Sequence, residues 1–216
     1  MGSKKTDSTR KNLLKAGISV FAEKGYKETT VREICKQAGS ANINSINYYF
    51  GSKELLYREI LELIFSKYDE YKSAVPEKKS PEQQLKDFIT NFCIMLYKDN
   101  AFASDVTKIF VSEMTKPSPF IEELVDQYNK PRLKKHLKMI RDILGEDAPD
   151  YMVRDCLVSV SGQLLYCSFA WPVFNRLFPE HSPGDTYEQW ADHVFNFSMG
   201  GINACKKQLQ ELKKGG

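Results

Sequence analysis

Apolar residues recur every three or four positions along almost the whole chain, and no stretch alternates strictly. That pattern predicts helices and no strands. Over residues 8–24, Leu13, Leu14, Ile18, Phe21 and Ala22 form one apolar stripe, and Gly25 supplies a left-handed stop. Thr30-Val31-Arg32-Glu33 has the form of a capping box, in which the hydroxyl takes a free backbone N–H and Glu33 reaches back. It opens a second helix that ends near Ala38-Gly39. Asn42 is placed to cap a third helix running through Phe50. Gly51-Ser52 breaks it, and Ser52 can cap a fourth over residues 53–73, with Leu55, Leu56, Ile60, Leu63, Ile64 and Phe65 on its apolar side.

Residues 75–81 read as a linker. Ser80, Pro81 and Gln83 then form a second helix start, for a helix reaching about residue 98. Further helices are expected at 101–115, 119–128, 132–144, 150–169 and 187–212, with 179–185 as a loop. The fold class is therefore all-α: an N-terminal three-helix unit with a helix-turn-helix, followed by a larger helical bundle. The uncharged run 156–175 is long enough to span a bilayer. Its Ser, Gly, Gln and Pro residues, without a flanking Lys/Arg cluster, predict instead a helix buried in protein, and no membrane partner.

Composition narrows the function. The 216 residues are 42% hydrophobic and 27% charged, which argues against disorder. Net charge is only +3, but it is unevenly spread. Residues 1–60 hold 11 Lys/Arg against 6 Asp/Glu, whereas the remainder holds 20 against 22. A basic front suggests a polyanionic partner. Five scattered cysteines and three scattered histidines offer no zinc-ligand spacing, so no metal and no cofactor is expected. The start has no apolar export segment, which predicts a cytoplasmic protein. Nucleophile elbow, Walker loop, dinucleotide fingerprint, HExxH and EF-hand patterns are all missing, so no enzyme is expected.

The third helix carries the chemistry. It reads Asn42-Ile43-Asn44-Ser45-Ile46-Asn47-Tyr48-Tyr49-Phe50, with neutral hydrogen-bonding groups where a solvent-facing helix usually carries Glu and Lys. Asn side chains donate and accept at once, which suits base edges in the major groove. Tyrosine hydroxyls and Lys53 suit phosphate oxygens. A polar helix packed on nothing in particular is the bland alternative.

Phe21-Ala22-Glu23-Lys24-Gly25-Tyr26, Thr29-Thr30-Val31-Arg32-Glu33-Ile34, Ala38-Gly39, Ile46-Asn47-Tyr48-Tyr49-Phe50 and Ser52-Lys53-Glu54-Leu55-Leu56 together resemble the DNA-binding domain of the tetracycline-repressor (TetR) family of bacterial transcriptional regulators. The turn before Asn47 is one residue longer than the family's usual spacing. The resemblance implies that residues 1–52 bind DNA and that residues 53–216 bind ligand and dimerise. It implies that Thr30 caps the second helix and touches phosphate. The helix from Asn42 would enter the major groove, with Asn44, Ser45 and Asn47 nearest the bases. Tyr48, Tyr49 and Lys53 would hold the backbone. Ile46 and Phe50 would face a small core with Phe21, Val31 and Ile34.

In the larger part, helix 150–169 is apolar around much of its circumference, and the last helix carries Trp190, Val194, Phe195, Phe197, Met199 and Ile202 with Gly200-Gly201 inside. A pair of monomer core helices or a symmetric dimer would explain that load, and the family implies a homodimer through these two helices. Aromatic and sulfur residues over 82–170 could be plain core or a small-molecule site. Phe92, Gln163 and Tyr166 are the candidate ligand contacts. The function expected is a repressor that binds a palindromic operator as a homodimer and is released by a small, largely apolar inducer.

Overall fold

The computed structural model describes residues 2–40, 42–70, 79–97, 101–180 and 183–214, and these are helix and turn throughout, with no strand among them. Eleven α-helices follow in chain order: α1 (Gly2–Glu28), α2 (Val31–Gln37), α3 (Ser45–Phe50), α4 (Lys53–Glu70), α5 (Pro81–Tyr97), α6 (Ala101–Thr115), α7 (Ile121–Leu124), α8 (Lys130–Leu144), α9 (Asp150–Phe169), α10 (Trp171–Leu177) and α11 (Pro183–Lys214). One wide π turn, Val125–Asn129, joins α7 to α8. None of the described helices is long and apolar enough to cross a membrane.

Two compact units emerge. The first, here the head, comprises Met1–Glu70 with Asn100–Val125. It is larger than the segment 1–52, because α4 and α6 both pack on α1. Its core holds Leu13, Phe21, Ile34, Ile46, Leu56, Tyr57, Ile60, Leu61 and Ile109. Gly17 allows α1 and α4 to approach closely: a Cβ there would lie 3.2 Å from Leu56 and 3.3 Å from Ile60. Gly25 (φ 80°) kinks α1 before its final turn, where the sequence places a stop.

The second unit comprises Tyr71–Asp99 and Asp126–Gly216. In it α11 lies along α5 and also packs on α9 and α8. Leu85, Ile89, Cys93, Ile140, Val153, Val160, Leu164, Val194 and Ile202 fill its core. The Tyr97 hydroxyl donates to the Leu164 carbonyl, and Lys206 covers the Ile143 carbonyl in the last turn of α8 at 2.8 Å.

Several boundaries differ from the sequence pattern. The third helix begins at Ser45 and not at Asn42; residues 42–44 form a turn in which Asn42 Oδ1 accepts the Asn44 N–H at 2.9 Å. A side chain that closes an Asx turn satisfies the backbone before the helix can start. Helix α10 lies where no helix is expected. Its seven residues cover barely two turns, and Pro172, which reads as a breaker, sits in the first turn, where proline is tolerated. The ends expected at residues 73 and 98, and most of the linker 75–81, fall outside the described residues.

Candidate nucleic-acid interface

The helix-turn-helix is held by a compact set of contacts. Thr30 caps α2 as the sequence predicts: its Oγ1 accepts the Glu33 N–H at 3.3 Å, and its own N–H donates to Glu33 Oε2 at 3.0 Å. The Thr30 hydroxyl also donates to Glu33 Oε2 at 2.8 Å, and Lys24 pairs with the other carboxylate oxygen. The Lys24 contact, then the two Thr30 donors, hold the Glu33 carboxyl down at about 2. An acid at the start of α2 is thereby neutralised by a neighbouring cation, and the exposed rim there does not repel anions as a bare carboxylate would.

On α3, Ile46 and Phe50 point into the head's core, as expected, together with Phe21 and Ile34, while Val31 is half-buried. The opposite face is polar and open. Asn42, Asn44 and Asn47 are exposed, and Tyr48 is 77% exposed, with the half-buried Tyr49 ring set edge-on against it at 4.8 Å. Ser45 departs from its expected place at the bases. It is only 8% exposed, and its hydroxyl is 2.9 Å from the Ser40 hydroxyl, so it closes the turn from within.

Lys53 also does something the sequence does not reveal. Its Nζ donates to the carbonyls of Tyr26 (3.1 Å) and Thr29 (3.0 Å) and lies 4.7 Å over the Tyr26 ring. Two of its three N–H donors therefore tie α4 to the α1–α2 connection, which leaves one for a phosphate.

Sequence reasoning passes over two positioning residues. Arg10 on α1 grips both carboxylate oxygens of Glu59 on α4, at 2.8 and 2.7 Å, and its guanidinium lies 4.7 Å from the centre of the Phe50 ring. One side chain thus braces three helices at the C-terminal end of α3. Glu113 on α6 is buried. It accepts from the Tyr57 hydroxyl (2.7 Å) and from the Ser118 N–H (3.0 Å) and hydroxyl (2.9 Å). Burial first, and the Glu113 contact second, push the Tyr57 phenol far above its ordinary range. An available signal is that Glu113 continues the buried stripe of Val106 and Ile109, where an acid needs partners.

In the second unit the three candidate ligand contacts have different surroundings. Phe92 is half-buried against Phe88, with ring centres 6.0 Å apart. Gln163 donates to the Ser159 carbonyl at 3.2 Å and the Ser198 hydroxyl at 3.3 Å. Tyr166 is 58% exposed, on the side of α9 that also carries Val158 and Phe169.

Comparison with known proteins gives the family. Residues 13–60 match the model described as bacterial regulatory proteins, tetR family, and residues 81–202 match the C-terminal domain of the HTH-type transcriptional dual regulator CecR. The chain is a TetR-family transcriptional regulator. It belongs to a family of DNA-binding regulators and not of enzymes. The regulator is 34% identical over 88 residues to the HTH-type transcriptional repressor NicS of Pseudomonas putida, which is 40% of this chain and 41% of NicS. It is 51% identical over 53 residues to CecR of Shigella flexneri, 24% of this chain and 23% of that one. The alignments thus span well under two thirds of either relative. The regulator's fold also matches FadR of Bacillus subtilis, solved in complex with stearoyl-CoA, with a TM-score of 0.66 at 18% identity over 88% of this chain and 97% of that one.

Proposed function

We propose that the regulator is a repressor that binds a palindromic operator in the cytoplasm as a homodimer and leaves it when a small, largely apolar ligand binds. In this reading residues 1–52 meet DNA and residues 53–216 take the ligand and the second copy. The observation that carries it is the outer face of α3 and of the turn before it, where Asn42, Asn44, Asn47 and Tyr48 stand exposed while Ile46 and Phe50 anchor the helix from behind. Such a face offers bidentate amides to base edges and hydroxyls to phosphate. Thr30, Tyr49 and Lys53 flank it. Ser45 contributes from inside by fixing the turn.

The second copy is supported by an apolar strip left uncovered on α9 and α11. Val158, Tyr166 and Phe169 lie on one face of α9, and Phe197 and Leu212 on one face of α11, all exposed. Between them Gly162, Gly200 and Gly201 have open space where a Cβ would stand. Isologous packing of this strip would bury it and allow close helix approach. It would also join two heads, as a palindrome of two half-sites requires. The ligand reading draws on Phe92 and Gln163 and on the neighbour solved with stearoyl-CoA; Tyr166 serves the dimer face better than the ligand.

The test begins with selection of a duplex from a random pool by the wild-type protein, followed by binding to single-base variants of it. Asn44→Ala and Asn47→Ala should each cost about 1–3 kcal/mol on the selected site and relax the preference at one base pair of each half-site. Unaltered base preference in both variants would remove α3 from the groove.

A further inference from the structure

Two stretches of the head contain no acid at all. Residues 8–22 carry Arg10, Lys11 and Lys15, and residues 34–53 carry Lys36 and Lys53, without an Asp or Glu in either. The second stretch contains the whole outer face of α3. The two meet in an open cleft of about 280 Å³ between α1 and the end of α2. Asn12, Lys15 and Ser19 line it from successive turns of α1, Gln37 lines it from α2, and Ala16 and Ala38 keep its floor low. Among the described residues no carboxylate borders it.

The four polar side chains share a second property. Asn12, Lys15, Ser19 and Gln37 make no side-chain hydrogen bond or ion pair with any described residue. Elsewhere in the head Lys11 is paired with Asp7, Lys24 with Glu33, Arg10 with Glu59 and Arg58 with Glu62, whereas Lys27, Arg32 and Lys36, like Lys15, have no ion pair among the described residues. Carbonyls in the last turn of α2 are covered by their own chain: Ala38 N–H reaches Ile34, Gly39 N–H reaches Lys36, and Ser40 N–H reaches Cys35. The cleft therefore presents one ammonium, two amides and a hydroxyl, all unspent, and little that opposes an anion.

We propose that this cleft is a second phosphate contact of the head: a backbone phosphate of the bound duplex sits between α1 and α2 and takes the Lys15 ammonium, with Asn12, Ser19 and Gln37 as neutral donors. The proposal rests on the DNA-binding reading above and extends it to a face of α1 that the helix-turn-helix pattern does not mark. Contacts of this kind fix register on the duplex and carry no sequence information.

The experiment uses the full-length protein and the duplex it selects. Each phosphate that a cation of the protein neutralises releases a counterion, so Lys15→Gln should lower the slope of log affinity against log salt by about 0.9. It should weaken the selected and an unrelated duplex alike, by about threefold to tenfold, with base preference unchanged. Ser19→Ala should weaken both duplexes less and leave the slope alone. A methylphosphonate scan should find one phosphate per half-site whose neutralisation harms the wild type but adds nothing to Lys15→Gln. A Lys15→Gln protein with the wild-type slope, or full additivity at every phosphate, overturns the contact. So does a wild-type slope combined with inorganic phosphate shifting the Ser19 and Gln37 amide signals without DNA, since the cleft would then serve a free phosphate. If the wild type selects no duplex, it is the repressor reading that fails.

Discussion

The two units of this regulator treat apolar surface in opposite ways. In the head, the large apolar residues of α1, α2 and α3 turn inward almost without exception, and the outward face of α3 is amide and phenol. In the second unit, Val158, Tyr166, Phe169, Phe197 and Leu212 stay outside although the helices that carry them have well-filled cores on their other side. A single chain finishes the three helices of the helix-turn-helix, with Ile43, Leu55 and Met114 exposed elsewhere in the head, and leaves the second unit with an unspent face. The head's surface fits water and a polyanion; the other surface fits a protein of the same kind.

The sharpest way to break this contrast is to place a charge on either side of the same helix pair. Val160 is 1% exposed, and Phe197 is 66% exposed. Val160→Glu buries an unpaired carboxylate, a cost of several kcal/mol against the ~5–15 kcal/mol that holds a domain. Loss of the helical circular-dichroism signal is expected. Phe197→Glu touches no core, so intrachain stability should stay within about 0.5 kcal/mol. Sedimentation should nevertheless show monomers. A folded, dimeric Phe197→Glu protein would mean that the uncovered strip is not the subunit contact.

Within the head, a smaller effect separates tyrosines that share a sequence neighbourhood but not a role. Tyr57→Phe removes one of the donors that satisfy the buried Glu113, which should cost about 1–3 kcal/mol in urea unfolding. Tyr48→Phe, on the exposed face of α3, should change stability by less than about 0.5 kcal/mol. Equal losses at the two positions would show that the Tyr57–Glu113 contact does not hold α6 to α4.

How far these features are legible in sequence depends on their range. The capping box at Thr30 and Glu33, the hydroxyl cap at Ser52 and the spans of α6 and α9 follow from cues within one or two turns, and the structure keeps them. The start of α3 does not follow, because Asn42, Asn44 and Ser45 compete to end the turn, and the outcome depends on Ser45 meeting the half-buried Ser40. Tyr57 and Glu113 lie 56 residues apart, and no local pattern pairs them. Nor does one assign α6 to the head. Lys53 is visible as a cation, yet its engagement with Tyr26 and Thr29 is set by the packing of α4 against the α1–α2 connection.

The smallest expected effect concerns acid. Glu33 sits at the rim of the head, and its carboxyl is lowered from an ordinary 4.5 to about 2, first by Lys24 and then by the Thr30 donors. A carboxyl depressed in the folded state contributes stability that is complete above its unfolded value and is lost as pH falls through the folded one. The contribution should therefore fade between about pH 4.5 and pH 2, and it should be steady at neutral pH. Glu33→Gln keeps an acceptor for the capping box but discards the charge. Its unfolding midpoint should fall less between pH 4.5 and pH 2 than that of the wild type, and salt should weaken the difference because the pair is solvent-accessible. The second unit offers a matched control. Asp147 is also lowered, by Lys213, but it lies far from any residue placed against DNA in sequence and belongs to the other unit. If Asp147→Asn blunts the acid response of the head's own unfolding transition as much as Glu33→Gln does, the two units do not unfold as separate bodies, and the contrast between them is one of surface alone.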